Sequence, residues 1–263
     1  METVTHRGRT TAYRRHDRGG TGRPVLCVHG AGGDRRVWRA QARLADRRPV
    51  VALDLSGRGG SDGVDARPGY EALGVYADDV VAVARETGAR VLIGSSLGGA
   101  VALWIAVERE LPLDGLVLAG TGARLAVPED LLAWLDRDFD RAIEYLHGPD
   151  RLFHDPDERT VETSRAAMRE TGPAVTARDF RTCHAFDVSD RLADAAVPSL
   201  AVVGEHDRLT PPRFHERLAD GLPDCGLAVV DDAAHLAMLE RPAAFNGAVG
   251  RFLDGLPAAS GSD

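Results

Sequence analysis

Lysine is missing from the 263-residue chain altogether, so all 32 basic residues are arginine. That absence excludes Schiff-base chemistry, a Ser-Lys dyad and the phosphate-binding loop that requires Gly-Lys-Ser/Thr. Cysteine is scarce: Cys27, Cys183 and Cys225 are too few and too scattered for a disulfide framework, form no Cys-x-x-Cys pair, and read as free thiols. Long apolar runs are absent too. Nothing approaches the ~20 residues that span a bilayer, and the arginine-dotted start lacks a signal peptide's continuous apolar segment. The expectation is a cytoplasmic protein with no membrane partner. A basic stripe is also lacking, because the net charge is −8 and the arginines are interleaved with carboxylates. Nucleic acid is therefore not an expected partner. A hydrophobic content of 44% over this length is enough to bury one large core.

What is present is an alternation. Short, largely apolar runs at Pro24–Val28, Pro49–Leu53, Val91–Ile93, Leu116–Ala119, Val197–Gly204 and Leu227–Val230 read as strands of a parallel sheet, Pro24–Val28 with the character of a strand buried on both faces. Segments of helical spacing separate them: Val37 to Leu44, Tyr70 to Glu86 closed by Gly88, Leu97 to Glu108, 212–222 behind Pro211-Pro212, and Pro242 to Leu256. Residues 3 to 16 alternate as an amino-terminal hairpin would, with Gly19-Gly20 and Gly22 closing its second strand. From 123 to 194 the strands vanish. Leu131, Leu132, Leu135, Phe139, Ile143 and Leu146 share one helical spacing, Val161, Ala167 and Met168 suggest a second helix, and Phe180, Cys183 and Phe186 a third. The expected architecture is an α/β fold: a mostly parallel, doubly wound sheet formed by 1–122 and 195–263, with 257–263 a disordered tail. A helical cap, 123–194, is inserted over the sheet's ligand edge.

Gly94-Ser95-Ser96-Leu97-Gly98 joins an apolar run to a helical one, which is the context that gives Gly-x-Ser-x-Gly its meaning. A serine at the apex of such a turn takes positive φ, so its neighbours two positions away must be small. Ser96 has Gly94 and Gly98 there; Ser95 would have Ile93 and Leu97. At the ends of two later strands stand Asp207 and His235. The order serine, acid, histidine is one of the three chain orders in which this chemistry occurs. Ser96 would attack, His235 would take its proton, and Asp207 would hold the imidazole's tautomer. Glu205 and Asp232 remain rival carboxylates, and His206 a rival neighbour. The backbone N–H groups of Leu97 and of Ala31, in the glycine-rich His29–Gly33 loop, would receive the oxyanion.

His29 reads as structural, and His6, His16, His147, His154, His184 and His215 as surface or cap residues, with no metal-ligand spacing among them. Asp54 to Ser61 reads as a structural turn. Trp38, Trp134, Phe153, Met168 and Phe180 are candidates for a substrate pocket, against the alternative of plain packing. Arg124, Arg137, Arg165, Arg169 and Arg178 would be surface cations unless one turns inward to meet a carboxylate.

Five stretches together carry a resemblance: His29-Gly30, Asp54-Leu55-Ser56-Gly57-Arg58-Gly59-Gly60-Ser61, Gly94 to Gly98, Gly204-Glu205-His206-Asp207, and His235 followed by Glu240-Arg241-Pro242. From about residue 23 to 255 the chain resembles the cap-bearing branch of the α/β-hydrolase superfamily. That branch includes carboxylesterases, lactonases, cofactor-free haloperoxidase-like esterases and meta-cleavage-product hydrolases. Ser56 stands where many relatives have proline. The resemblance implies a Ser96–Asp207–His235 triad, oxyanion donors at Ala31 and Leu97, no cofactor or metal, and a small-molecule substrate. Serine at 96, in place of aspartate, speaks against dehalogenase or epoxide hydrolase chemistry. Hydrolysis of a carbon–carbon bond beside a ketone, or ligand binding without turnover, are the alternative expectations.

Overall fold

A strand in which every side chain is apolar has no face to offer to water, and such strands lie at the centre of the sheet, except Cys225–Val230, which forms an edge and leaves Leu227 and Val229 exposed. The computed structural model describes residues 1–257, so all of the expected tail after Pro257 lies outside the described residues. Strands β1 (Glu2–His6), β2 (Arg9–His16), β3 (Val25–Val28), β4 (Val50–Leu53), β5 (Val91–Ser95), β6 (Gly115–Ala119), β7 (Ser199–Gly204) and β8 (Cys225–Val230) form one sheet. Its order is β1-β2-β4-β3-β5-β6-β7-β8. Within this sheet only the two pairings of β2, with β1 across the turn at Arg7-Gly8 and with β4, are antiparallel; β3 to β8 are mutually parallel. β7 begins two residues later than the apolar run that starts at Val197.

Alternation along each strand divides the core in two. Leu26, Val28, Leu92 and Leu116 pack against α1 (Tyr70–Thr87) and α2 (Leu97–Glu108). Val25, Cys27, Ile93 and Val117 face the 3-10 helix Arg35–Asp46 and the closing helix Pro242–Gly255, whose Trp38 and Phe245 rings meet at 6.3 Å. Gly88 ends α1 in the left-handed conformation, φ 71°, which glycine adopts without steric cost. Buried among apolar neighbours, the Cys27 and Cys183 thiols are pushed up in pKa and stay protonated. No helix among the described residues is long and apolar enough to cross a membrane.

Between β6 and β7 lie α3 (Glu129–Arg137), α4 (Phe139–Leu146), α5 (Glu158–Thr171), α6 (Pro173–Ala185) and a 3-10 turn at Ser189–Asp194. The continuous spacing from Leu131 to Leu146 is two helices, not one. Asp138 breaks it by ending α3 and capping α4, its carboxylate accepting the Arg141 N–H at 3.2 Å. Leu131, Leu135, Ile143, Leu146, Phe153 and Met168 give these helices a small core of their own. Leu209, Leu236 and Leu239, from the segments that follow β7 and β8, pack against it.

Candidate active site

Parallel strands of matched register bring their carboxyl ends to one edge, where Val28 pairs with Gly94 and Ser95 with Ala119. Ser96 follows β5 directly, with φ 52° and ψ −115°. A strained turn persists only where its surroundings hold it. Here the Ser96 N–H donates to the Ala119 carbonyl at 2.9 Å, and the Ser96 carbonyl accepts the Thr121 hydroxyl at 2.9 Å. The flanking glycines are sterically required. A Cβ on Gly94 would stand 2.3 Å from the Gly98 carbonyl oxygen, and one on Gly98 2.2 Å from that of Val28.

Asp207 leaves the end of β7 and is 2% exposed; His235 follows β8 and is 5% exposed. His235 Nδ1–H donates to Asp207 Oδ2 at 2.9 Å, which leaves Nε2 as the free nitrogen. The other carboxylate oxygen, Oδ1, accepts the N–H groups of Leu209 and Thr210, each at 2.8 Å, while the Thr210 hydroxyl donates to Oδ2 at 2.7 Å. Burial opposes charge on Asp207, but the neighbouring His235 and these hydrogen bonds outweigh it and hold the carboxyl below the usual carboxylate range. Of the rival carboxylates, Glu205 and Asp232 are exposed and face one another, with the Asp232 N–H 3.4 Å from Glu205. Those two and His206 are the one group of possible metal-ligating side chains among the described residues.

Ser96 and His235 open onto the same cavity of about 840 Å³, walled by Ala31, Leu125, Val127, Leu131 and Leu239 among others. Among the described residues no internal hydrogen bond engages the Ser96 hydroxyl or the Ala31 N–H. Leu97 begins α2, where a helix's first N–H groups have no partner within the helix. Gly30 sits so close that a Cβ there would lie 3.1 Å from Ser96 Cβ.

Of the candidate pocket residues, Trp38, Met168 and Phe180 stand on the cavity wall. Trp134 and Phe153 do not. Trp134 packs at a tilt against Tyr145, ring centroids 5.3 Å apart, beneath Arg141, and Phe153 is sealed within the small helical core, because helical spacing marks a buried face without saying what the face meets. None of the five arginines singled out from the sequence reaches the cavity. Arg124, Arg165 and Arg169 pair with Asp187, Glu162 and Asp140, Arg137 is exposed, and Arg178 bonds Tyr76 and the Val64 carbonyl.

His29 is structural, as its sequence position suggested. Nδ1–H donates to the Gly30 carbonyl at 2.9 Å and Nε2 accepts the Leu55 N–H at 3.1 Å. His215, by contrast, is no surface residue: it is fully buried on α7 (Pro212–Gly221), and its Nε2 accepts the Thr121 N–H at 3.0 Å. It thereby supports the residue whose hydroxyl holds Ser96. Burial lowers both imidazoles to about 4, helped at His29 by Arg58. The unfolded chain, with ordinary histidines near 6.5, takes up protons first as the pH falls. Stability is therefore full above about pH 6.5 and declines towards pH 4, by about 1.4 kcal/mol per pH unit for each histidine. Urea unfolding at pH 7.5 and pH 5 measures this, and His215→Gln should reduce the difference; an unchanged midpoint across that range would refute it.

Several contributors carried little sequence signal. Thr210 lies three residues beyond Asp207, a spacing typical of local side-chain turns. Glu240, within the Glu-Arg-Pro run, accepts the Ala234 N–H at 2.7 Å through one oxygen. Its other oxygen takes the N–H groups of His154 and Asp155, at 2.8 and 3.2 Å. It thus ties the His235 loop to the segment joining α4 and α5.

The chain is similar to known proteins over most of its length. A pimeloyl-[acyl-carrier protein] methyl ester esterase of Neisseria meningitidis (serogroup A, serotype 4A) is 33% identical over 258 residues, covering 88% of this chain and 77% of that protein. A thermophilic esterase from Thermogutta terrifontis superposes with a TM-score of 0.82 at 28% identity, over 96% of this chain and 97% of that one. The enol-lactonase from Burkholderia xenovorans LB400 gives a TM-score of 0.86 over 96% and 100%, at 21% identity, a likeness of fold. The model of the family described as "Alpha/beta hydrolase family" matches residues 25–248, from the first buried strand to the closing helix, and the chain belongs to that family.

Proposed function

We propose that the protein is a serine hydrolase that opens an ester, thioester or lactone bond in a small, fairly apolar molecule through an acyl-enzyme on Ser96. One observation carries the reading: a buried, hydrogen-bonded His235–Asp207 pair shares a cavity with a serine held at positive φ. Ser96 Oγ attacks the carbonyl carbon while His235 Nε2 takes the hydroxyl proton. The carbonyl electron pair moves to oxygen, facing the N–H groups of Ala31 and Leu97. Collapse of this intermediate expels the alkoxide or thiolate, which receives the proton from His235. Water, deprotonated by the same imidazole, then attacks the acyl carbon and frees Ser96 and the acid.

The substrate class rests on the walls. Leu125, Val127, Leu131, Met168, Phe180 and Leu239 form the apolar part of the lining, to which Arg14, Arg35, Arg36, Arg39 and Arg159 add charge, and the volume is within the range that encloses small organic ligands. Esterases and lactonases recur among the similar proteins. Incubation with a fluorophosphonate followed by peptide mass spectrometry should place a single adduct on Ser96. A panel of p-nitrophenyl esters of rising acyl length should be turned over. An unlabelled protein, or one that turns over no member of an ester and lactone panel, would defeat the reading.

A further inference from the structure

Gly32, the residue after Ala31, is held on every side by the inserted helices. Its N–H donates to Asp179 Oδ2 at 3.1 Å, and its carbonyl accepts the Thr171 hydroxyl at 3.2 Å. Its φ is 65°, and a Cβ there would meet Met168 Cε at 3.1 Å and Thr176 Cγ2 at 3.3 Å. Thr171 ends α5; Asp179, Met168 and Thr176 also lie on α5 or α6. Both polar groups of one peptide-chain residue are thus bonded by an element more than a hundred positions away.

Asp179 is itself immobilised. It is fully buried, accepts Arg58 Nη2 at 2.7 and 2.8 Å through its two oxygens, and accepts the Tyr76 hydroxyl at 2.6 Å. Arg178 Nε donates to the same hydroxyl at 3.0 Å. A buried ion pair adds little net stability over an apolar replacement, yet removing one partner is costly. Its worth here is geometric: it fixes a carboxylate where the Gly32 N–H needs an acceptor.

We propose that Asp179 and Thr171 are positioning residues of the oxyanion loop, so that the inserted helices, when seated, set the direction of the Ala31 N–H. This rests on the assignment of Ala31 as oxyanion donor. The arrangement couples two events that the chain order keeps apart. Seating of α5 and α6 over the cavity and assembly of the oxyanion site become one step, since the loop loses both bonds at Gly32 whenever those helices lift. Substrates that hold the helices down are thereby favoured in kcat, not only in binding.

The test uses p-nitrophenyl butyrate and phenylboronic acid, which forms a tetrahedral adduct on serine. Misplacing a catalytic group by about 1 Å costs up to about 10² in rate. Asp179→Ala should therefore lose about 10²-fold in kcat with KM changed less than about threefold, and phenylboronic acid affinity should fall in parallel. Asp179→Asn, which keeps an oxygen for Gly32 but not the charge for Arg58, should recover part of the loss. Thr171→Val, which alters no charge and keeps the side chain's shape, should lose about tenfold in kcat and remains informative if Asp179→Ala fails to fold. A purely architectural role would lower the unfolding midpoint and leave kcat per folded molecule unchanged. That result in Thr171→Val and Asp179→Asn overturns the proposal. A wild-type protein that neither hydrolyses the ester nor binds the boronic acid would instead overturn the serine hydrolase assignment beneath it.

Discussion

Ser96→Ala should lower kcat on the order of 10⁶-fold, the scale seen when a serine hydrolase loses its nucleophile, and should abolish fluorophosphonate labelling. The fold should survive the change. The bonds that hold the turn are made by the Ser96 backbone N–H and carbonyl, to Ala119 and Thr121, and neither involves the hydroxyl that is removed. Alanine tolerates φ 52° no better and no worse than serine does, since both carry a Cβ. The wild-type unfolding midpoint should therefore be retained while turnover disappears. Binding should also persist, because the cavity walls are untouched. Turnover above about one per cent of wild type in a sample free of contaminating esterase would remove Ser96 from the chemistry. A binding protein with an idle site would show the same ligand affinity and no turnover in both forms.

Asp207→Asn is expected to cost about 10⁴-fold in kcat, the known scale for a triad that keeps its shape but presents the wrong tautomer. The local hydrogen bonds say why the tautomer must change. Two backbone donors, from Leu209 and Thr210, converge on Oδ1. An asparagine side chain would turn its oxygen to them, because an amide NH₂ there would set donor against donor. Its NH₂ would then occupy the place of Oδ2 and face His235 Nδ1. The imidazole can accept that bond only by moving its proton to Nε2, which leaves no lone pair for the Ser96 proton. KM should change little, and the ¹⁵N shifts of His235 should report the proton on Nε2. A variant within tenfold of wild type, with the proton still on Nδ1, would show that Asp207 does not set the tautomer.

The expected parallel sheet was readable because its central strands are buried on both faces, and burial on both faces leaves mostly apolar residues in the run. Gly94 and Gly98 made Ser96 conspicuous for a similarly local reason: the turn excludes side chains two residues either way. His215 reads as a surface or cap residue in the sequence although it is buried, as a lone histidine on an amphipathic helix has the same appearance whether it meets water or a backbone N–H. The division of the first inserted helix at Asp138 was hidden by apolar residues that kept their spacing across the break.

By itself, the amino-acid sequence determined the elements, their order, the glycine-flanked serine and the polar residues that end β7 and β8. Each depends on neighbours a few positions away, and periodicity and sterics act at that range. Tertiary structure alone decided that Trp38 and Met168 but not Trp134 or Phe153 reach the cavity, and that Gly32 is bonded by Asp179, and it brought Asp207, the carboxylate favoured from the sequence, to His235. Those contacts join residues separated by up to 147 positions. Which distant pairs meet depends on how helices seat on the sheet, and that is settled by the packing of whole faces, in which no single residue's identity is decisive.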